Sequence, residues 1–478
     1  DFNNYVWKNG NSWDNLNAFY GKSWIWSTVP NFGGRTALKG PLDFYLNGHI
    51  DAVESENKGR LTGFGTSPEG VENNEILYEL ISAAAWSDSR IYLDAFLESY
   101  SKARYGAADP AFTTFWNELR QSVYDNFTNN ARFIWQQRPA YHRGETMNIN
   151  EHYFNGIEAF LSVAETYRNN ELYVADAVQY AALYLAAKAD YALKAANWAV
   201  VADDSDKARE LKEQLKEILL DMDRLLESHP ILRIQRWFDM ADAVATNEKE
   251  AADFKKEIKR LVSTWSGPSL KDYSDRVWSG LVRDYYVQRL DYYFEKAIAG
   301  ELADMVSSDN TFHYGTGYGT PEDVCPAGED MISQQEPFED PLKAACELVA
   351  KYSSVDYADR SFNPYAPEKE VAYWCPQDFD GKERKRLYMT IMATDFAKMN
   401  GLKITNARGD NVKISKVEFK SGPQWFGKLD LDEKIRSPRQ VVKIPVKGPG
   451  TTEGLEREVV VYVTIEGGPQ SWGMISLY

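Results

Sequence analysis

The 478-residue chain is predicted to be a multidomain α/β + α + β protein, because its hydrophobic pattern changes twice along the chain. Short β-favouring runs alternate with loops and helices over residues 1–90, whereas apolar residues recur at helical spacing over residues 91–355. Stretches rich in Gly, Pro, Asp and Tyr flank one predicted helix within residues 301–387, and residues 356–387 are predicted to be an irregular linker. Short strands separated by turn signals follow over residues 388–478 and predict a small antiparallel β domain.

The first part of the chain has the order strand, loop, helix, repeated twice. We expect strands at Ser23–Val29 and Arg60–Gly65, and helices near Ala37–Tyr45 and over Glu72–Trp86. This order favours parallel strands whose following loops gather at one end of the sheet.

The helices and strands of the middle and last parts are predicted from the spacing of apolar residues and from the Gly, Pro and capping residues at their ends. Gly106 is expected to end the first helix of the helical domain, and a helix that begins at Ser205 should stop before Pro230. Further helices are predicted over Leu172–Lys194, from a cap at Thr246 or Asn247 through Leu261, and over Asp284–Ile298 and Pro341–Lys351. The predicted strands of the β domain are Leu402–Ile404, Asn411–Phe419, Val441–Val446 and Glu458–Ile465.

Charge and composition exclude several classes of partner. The net charge of -17 would repel the phosphates of nucleic acids and anionic membrane surfaces. No apolar run is long enough to span a bilayer. The three widely spaced cysteines, and the cluster of His142, Glu145 and His152, lack metal-ligand spacing, so we expect no metal and no cofactor. The high aromatic content, 14%, is compatible with sugar stacking but equally with aromatic cores.

The turn Pro68-Glu69-Gly70 is the strongest candidate for a catalytic group. It follows the second predicted strand and precedes a helix, and loops at strand ends are where barrel enzymes carry their chemistry. A Pro before Glu69 and a Gly after it hold the carboxylate in a loop. The alternative interpretation is an ordinary Pro-Gly turn with a solvated Glu.

A set of motifs in one order resembles glycoside hydrolase family 89, the α-N-acetylglucosaminidases, over roughly residues 1–355. In chain order, they are Trp24-Ile25-Trp26, Asn31-Phe32-Gly33-Gly34, Gly65–Gly70 with Asn74-Glu75 and Tyr78, Arg104-Tyr105-Gly106, Trp116 with Ser122-Val123-Tyr124, Thr264-Trp265, Asp272-Tyr273, Trp278–Val282, and Asp284-Tyr285-Tyr286 with Arg289. The family's Cys-Met-Leu-His stretch is replaced by Ser27–Pro30, which removes a His from this loop.

The resemblance implies a retaining exo-glycosidase built on a (β/α)8 barrel followed by a helical domain. Residues 1–90 would be the second half of that barrel, and residues 388–478 would form a β-sandwich-like accessory domain without a family counterpart. The family's nucleophile maps onto Glu69. Its general acid is expected upstream of Asp1, so no residue of this chain is assigned to that role.

The resemblance also implies a set of residues around the sugar. Tyr78 matches a Tyr that lines the family's sugar site, and Trp265 matches the aromatic contact from the helical domain. Leu270 is a looser match from the same region. Trp26 and Asn31 complete the expected substrate-binding set. Glu75 is expected to accept a hydrogen bond from behind the residues that contact the sugar, and it is the rival candidate for nucleophile.

The expected substrate supplies a reason for a protein nucleophile. In an α-linked N-acetylglucosaminide, the 2-acetamido group lies on the same face as the leaving group and cannot attack the anomeric carbon from behind. The protein must then provide the nucleophile, which favours Glu69. Mucin-type and heparan-type glycans are both expected substrates.

Under a second hypothesis, the same residues bind carbohydrate or serve the structure, and the chain has no catalytic activity of its own. The chain would then be a catalytically incomplete carbohydrate-binding or structural chain that acts only with a partner barrel half. That half is expected on the same precursor or on a separate chain, because an isolated half-barrel exposes unpaired strand edges. Homo-oligomerisation is left open. We expect a secreted, periplasmic or cell-surface bacterial protein, with a lysosomal one as the alternative.

Overall fold

The computed structural model describes residues 12–72, 74–125, 132–136, 147, 149–201, 204–263, 273–299, 335–355, 370–374, 379, 381–437, 440–456 and 458–478. These residues form an α/β unit, a helical domain and a β-sandwich. Within these ranges, no helix has the length and apolar character needed to cross a membrane.

The α/β unit contains two parallel strands and two helices. Strand β1 (Ser23–Thr28) pairs in parallel with β2 (Arg60–Thr66), helix α1 (Leu42–Glu54) connects them, and α2 (Glu75–Ala84) follows β2. Two short turns precede β1, Ser12–Asn15 and Asn17–Tyr20. Both strand predictions are confirmed. The described residues of this unit hold two parallel strands, and the expectation that residues 1–90 form the second half of a barrel stays a prediction.

Both helices of this unit begin later than predicted, because the preceding backbone cannot be helical. Gly40 has a φ of 91° and Pro41 follows it, which delays α1 from Ala37 to Leu42. Asn74 has a left-handed φ of 58°, so α2 begins at Glu75 instead of Glu72.

The two faces of the small sheet have different surroundings. Trp24, Trp26 and Thr28 alternate along β1 and are buried. Ile25 points to the opposite face and is 48% exposed, although isoleucine is a residue that usually packs inside. The sheet therefore has one covered face and one uncovered face.

The described helices of the helical domain run from α3 to α11, and its predicted span of residues 91–355 stays a prediction. Its helices are α3 (Leu93–Tyr105), α4 (Pro110–Arg120), α5 (Glu151–Leu161), α6 (Glu171–Val201), α7 (Ser205–Leu226), α8 (Ile234–Val244), α9 (Glu248–Ser263), α10 (Gln288–Ala299) and α11 (Pro341–Tyr352). Short helical segments lie at Ile134–Gln136 and Ala164–Tyr167, and a π-helix, Val282–Val287, leads into α10. Gly106 ends α3 with a φ of 89°, as predicted.

One hydrophobic core joins the α/β unit to the helical domain. Leu42 and Leu46 of α1 and Leu77 and Leu80 of α2 belong to the same buried cluster as the long, alanine-rich helix α6. Alanines around a buried helix let neighbouring helices approach closely. The loop after β2 is thereby held in a fixed position against the helical domain.

The C-terminal domain is a sandwich of two four-stranded sheets. Their strand orders are β3-β10-β5-β8 and β4-β9-β6-β7, and every described pair is antiparallel. The strands are β3 (Glu370–Trp374), β4 (Arg384–Met392), β5 (Gly401–Arg408), β6 (Val412–Ser421), β7 (Gln424–Ile435), β8 (Gln440–Pro445), β9 (Glu458–Glu466) and β10 (Trp472–Leu477), with helix α12 (Ala393–Lys398) after β4.

The sandwich begins earlier than the predicted boundary at residue 388. Strand β3 and the first residues of β4 lie in the segment predicted to be an irregular linker, yet β3 pairs with β10 and β4 pairs with β9. Their pairing partners are the last strands of the chain, so local sequence does not reveal their role.

Candidate active site

Two loops meet at the carboxyl ends of the parallel strands. The Ser67 amide donates to the Thr28 carbonyl at 3.1 Å, and the Glu69 amide donates to the Asn31 carbonyl at 3.0 Å. These bonds tie the Pro68-Glu69-Gly70 turn to the loop that follows β1. Glu69 thus lies where adjacent loops of a parallel sheet converge, as the sequence predicted.

Close backbone contact explains the glycines around this turn. A Cβ atom on Gly70 would lie 2.6 Å from Gly34 Cα, and Gly33 and Gly34 each have a φ of 68°. No larger residue fits such an approach without movement of the loops. The Tyr78 hydroxyl donates to the Gly70 carbonyl at 2.7 Å and anchors the turn from α2.

The Glu69 carboxylate is exposed to solvent but is held by two donors. Oε2 accepts hydrogen bonds from the Gly33 amide at 2.5 Å and from the Tyr273 hydroxyl at 2.7 Å. Hydrogen bonds to an ionised acceptor are stronger than neutral ones. This geometry fixes the direction of the carboxylate while leaving it accessible, as a nucleophile requires.

Tyr273 comes from the helical domain on a segment that is joined to the β1 loop at several points. The Ser274 hydroxyl donates to the Gly33 carbonyl at 2.8 Å, and the Arg276 guanidinium donates to the same oxygen. The Val277 amide donates to Thr36 Oγ1 at 2.7 Å. The helical domain therefore positions a group directly on the candidate nucleophile.

A buried set of charges lies beneath Tyr273. Arg35 lies over the Tyr273 ring at 5.2 Å and pairs with Asp275 at 3.6 Å, and Arg132 also contacts Asp275 at 3.3 Å. Burial raises the pKa of Tyr273, and its hydrogen bond to Glu69 acts in the same direction. The phenol thus stays protonated and remains a donor to the carboxylate.

The structure gives three of the predicted sugar contacts different environments. Asn31 is buried and its side-chain amide donates to the Arg35 carbonyl at 2.8 Å, which shapes the β1 loop. Tyr78 is half-buried at the base of the turn. Trp26 is buried between sheet and helix, stacked on Phe64 with ring centroids 5.2 Å apart, so its surroundings favour a packing role rather than the expected contact with sugar.

Two expected contacts, Trp265 and Leu270, lie outside the described residues. Their expected contribution from the helical domain stays a prediction. Tyr273, three positions beyond Leu270, is the described residue of this segment that reaches Glu69.

Glu75 faces the helical domain rather than the turn. Burial raises the pKa of Glu75 to about 7, and the nearby Asp176 carboxylate adds to the shift. Asp176 in turn accepts two hydrogen bonds from Arg104, at 2.5 and 2.6 Å. Glu75 therefore lies at the contact between α2 and α6, and its expected roles, as a supporting acceptor and as the rival nucleophile, stay predictions.

The contacts that sequence reasoning missed are Gly33, Arg35 and Tyr273. All three lie inside or next to motifs that mark the family resemblance, so their positions carried a signal. Their roles could not be predicted from the sequence. The donor Tyr273 lies 204 residues from Glu69 in the chain, so their contact can be assigned only from the folded chain. Among the described residues, no group of His, Cys, Asp and Glu side chains is arranged to hold a metal ion.

Comparison with known proteins identifies the family. Residues 96–314 match the family model of the alpha-N-acetylglucosaminidase (NAGLU) C-terminal domain, and residues 4–88 match that of its tim-barrel domain. The chain belongs to the alpha-N-acetylglucosaminidase family. Both matches end before the β-sandwich, so the family assignment covers the α/β unit and the helical domain.

Known relatives of this alpha-N-acetylglucosaminidase family member are longer than the chain. It is 28% identical to human alpha-N-acetylglucosaminidase over 296 residues, which is 59% of this chain and 39% of the human protein. Its fold is similar to that of the family 89 glycoside hydrolase from Clostridium perfringens. In complex with PUGNAc, that structure gives a TM-score of 0.61 at 22% identity, covering 74% of this chain and 41% of the bacterial one.

Two further complexes of the Clostridium perfringens enzyme agree. The complex with its substrate GlcNAc-alpha-1,4-galactose gives a TM-score of 0.60 at 21% identity. The complex with 2-acetamido-1,2-dideoxynojirmycin gives a TM-score of 0.60 at 22% identity. Each covers 72% of this chain and 40% of the bacterial chain. The chain thus spans about two fifths of the length of these relatives.

Proposed function

We propose that this chain carries the nucleophile of a retaining exo-glycosidase that removes terminal, non-reducing α-linked N-acetylglucosamine. The observation that carries the proposal is the exposed Glu69 carboxylate, which two donors hold at the carboxyl ends of parallel strands. Family membership supports the reaction class. The proposal covers the activity of the whole enzyme, of which this chain supplies one part.

The two described hydrogen bonds assign different roles to the two carboxylate oxygens. Both donors contact Oε2, which leaves Oε1 as the oxygen that would attack the anomeric carbon. Attack forms a covalent glycosyl–enzyme bond and breaks the bond to the aglycone, whose oxygen takes a proton from the general acid. Water then attacks the anomeric carbon, releases Glu69 and retains the α configuration.

The general acid is proposed to come from strands of the barrel that are not among these 478 residues. The uncovered face of the β1–β2 sheet, marked by the exposed Ile25, supports this proposal. A closed barrel would cover that face. The acid should lie roughly 5–5.5 Å from Glu69, as in retaining enzymes.

The decisive experiment uses the complete enzyme with its whole barrel and an aryl α-N-acetylglucosaminide. Glu69→Ala should abolish hydrolysis, and added azide should restore turnover with formation of the β-glycosyl azide, because azide enters from the face that Glu69 occupies. Glu79→Gln, an exposed glutamate on α2, is the matched control and should retain activity. Activity of Glu69→Ala near that of wild type would refute the assignment.

The natural substrate is proposed to be a glycan with terminal α-GlcNAc, of mucin type or heparan type. Crystals of the Clostridium perfringens relative with GlcNAc-alpha-1,4-galactose as its substrate support an α-linked disaccharide of this kind. Comparing kcat/KM for α-1,4-linked GlcNAc on galactose and on uronic acid would separate the two types. We further propose an exported bacterial protein, a choice that detection in culture medium or a cell-surface fraction would test.

The second candidate is a carbohydrate-binding or structural chain without activity of its own. The described residues of the α/β unit form a two-stranded sheet on which Ile25 is exposed, which also favours this alternative. Assaying the 478-residue chain alone and after mixing with the remaining barrel half distinguishes the two. Activity only in the mixture supports the enzyme, whereas inactivity of the complete protein supports the alternative.

A further inference from the structure

The outer face of the second sandwich sheet carries a row of exposed aromatic side chains. In the register of this sheet, Tyr388 of β4 lies opposite Tyr462 of β9, and Tyr462 lies opposite Glu418 of β6. Ring centroids are 6.4 Å apart for Tyr388 and Tyr462, and 5.5 Å apart for Tyr462 and Trp425 of β7. We call Tyr388, Tyr462 and Trp425 the aromatic row.

The aromatic row is not part of the sandwich core. Tyr388 is 74% exposed and Trp425 is 54% exposed, whereas their neighbours Val461 and Phe419 are buried on the inner face. Large rings that stay in water bury little apolar area on folding, and exposed apolar patches mark binding surfaces. A flat sheet with rings on it offers a platform rather than a pocket.

Basic side chains surround the aromatic row. Arg386 packs 4.0 Å from the Tyr462 ring centroid and Lys420 lies 5.7 Å from that of Trp425. Arg386 and Lys416 share one carboxylate, Glu418, at 2.8 and 2.6 Å. Two cations therefore share one carboxylate and Lys420 adds a third positive charge beside the row, whereas the neighbouring Lys428 is matched by Asp430, so these groups leave a local excess of positive charge.

This excess stands out in a chain whose net charge is -17. A partner that is attracted here must carry negative charge and must also offer apolar faces to the rings. A pyranose ring presents C–H groups to an aromatic face, whose negative quadrupole attracts them. Carboxylate or sulfate groups on the same sugar would meet the basic side chains.

We propose that this face of the β-sandwich binds an acidic polysaccharide. Its pyranose rings stack on Tyr388 and Trp425, and its carboxylate or sulfate groups contact Lys420 and Arg386. The site lies on a different domain from Glu69 and does not depend on the proposed catalytic function. It would hold the enzyme on a glycan chain while the other domains act.

The test is affinity electrophoresis of the full chain in gels that contain heparin, polygalacturonate or neutral dextran. The first two probes distinguish sulfate from carboxylate recognition. Retardation is expected in at least one acidic gel and not in dextran. Trp425→Ala should weaken binding about tenfold, and Lys420→Glu should weaken it as well, with added salt acting in the same direction.

Matched controls use residues of the same type on other domains. Trp86→Ala changes a tryptophan that is 93% exposed after α2, and Lys102→Glu changes an exposed lysine on α3; both should bind as wild type does. Lys420→Glu leaves the rings intact, so it tests the site even if Trp425→Ala does not fold.

Four outcomes would overturn the proposal. They are no retardation by either acidic probe, equal retardation in dextran, unchanged binding of folded Trp425→Ala and Lys420→Glu, and a concentration-dependent dimer that Trp425→Ala abolishes. The last would assign the row to contact with a second copy.

Discussion

The Tyr273 hydroxyl lies 2.7 Å from Glu69 Oε2, although 204 residues separate the two in the chain. The helical domain thus contributes directly to the candidate active site. Because Glu69 is exposed, the two donors on Oε2 are what orients its carboxylate. The first prediction concerns this bond.

Replacing Tyr273 by Phe removes one donor and leaves the ring in place. We expect kcat/KM of the complete enzyme to fall about 10- to 100-fold, since hydrogen bonds to charged groups contribute about 1.5–3 kcal/mol. The measurement is hydrolysis of an aryl α-N-acetylglucosaminide, with thermal unfolding to show that the variant is folded. Tyr92→Phe, at an exposed tyrosine, serves as the control. A change of less than twofold would show that the bond does not orient the nucleophile.

Gly33 and Gly21 permit a matched test of close approach at the β1 loop. Both have positive φ, 68° and 78°, but a Cβ on Gly33 would lie 2.0 Å from the Tyr273 carbonyl oxygen, whereas Gly21 has nothing within 4 Å. Gly21→Ala should cost about 1–2 kcal/mol of strain. Gly33→Ala should cost about 2–5 kcal/mol, because overpacking is added. Denaturant unfolding of both variants measures the difference, and equal costs would contradict the described contact.

The raised pKa of Glu75 predicts that the free energy of unfolding depends on pH. Its pKa is raised from 4.5 to about 7 in the folded protein, so the folded state binds more protons than the unfolded state between these values. Stability from this group is full below pH 4.5 and declines as pH rises towards 7.

Glu75→Gln removes that decline. The variant should therefore gain stability relative to wild type between pH 5 and pH 8, by about 2 kcal/mol. Thermal unfolding at both pH values measures the gain, and catalytic activity should be retained because Glu75 faces α6. A constant difference between variant and wild type would contradict the raised pKa, and loss of activity in a folded variant would support the rival role.

Asp275 joins two arginines beneath the site. Its side chain is 1% exposed, and it pairs with Arg35 and Arg132. Asp275→Asn should destabilise the protein by about 3–5 kcal/mol, because breaking a buried pair leaves uncompensated charge. Asp94→Asn, which breaks an ion pair with Arg120 where the Asp is 84% exposed, should cost less than about 1 kcal/mol. Similar costs for the two variants would argue against a structural role for the buried set.

Much of the secondary structure was predictable because local signals and burial agree. The run Ser23–Thr28 combines aromatic and β-favouring residues with a turn after it, and Gly106 ends its helix as expected. Strand β7 was missed because it is an edge strand whose residues are mostly exposed, so it lacks the alternation that marks a half-buried strand. The starts of α1 and α2 were displaced by single residues, Gly40 and Asn74, whose left-handed backbone cannot be inferred from hydrophobic spacing.

The candidate site was also predictable from the sequence only in part. The position of its candidate nucleophile, Glu69, was predictable because a Pro-Glu-Gly turn after a strand restricts the chain locally, and the family motifs around it agree. Trp26 and Glu75 lie in the same motifs, yet one packs between sheet and helix and the other turns towards α6. A family motif predicts that a residue lies near the candidate site. The direction of its side chain depends on the residues that pack beside it.

The amino-acid order alone therefore determined most helices and strands and the Glu69 turn, since these depend on neighbours within a few residues, and the order of its motifs determined the family. Helices α4, α5 and α8 were not predicted. Only the tertiary structure decided that Tyr273 meets Glu69, that Glu75 lies beside Asp176, and that one sheet face carries the aromatic row. These relationships join residues that are far apart in the chain. Packing, rather than local backbone preference, brings such residues together.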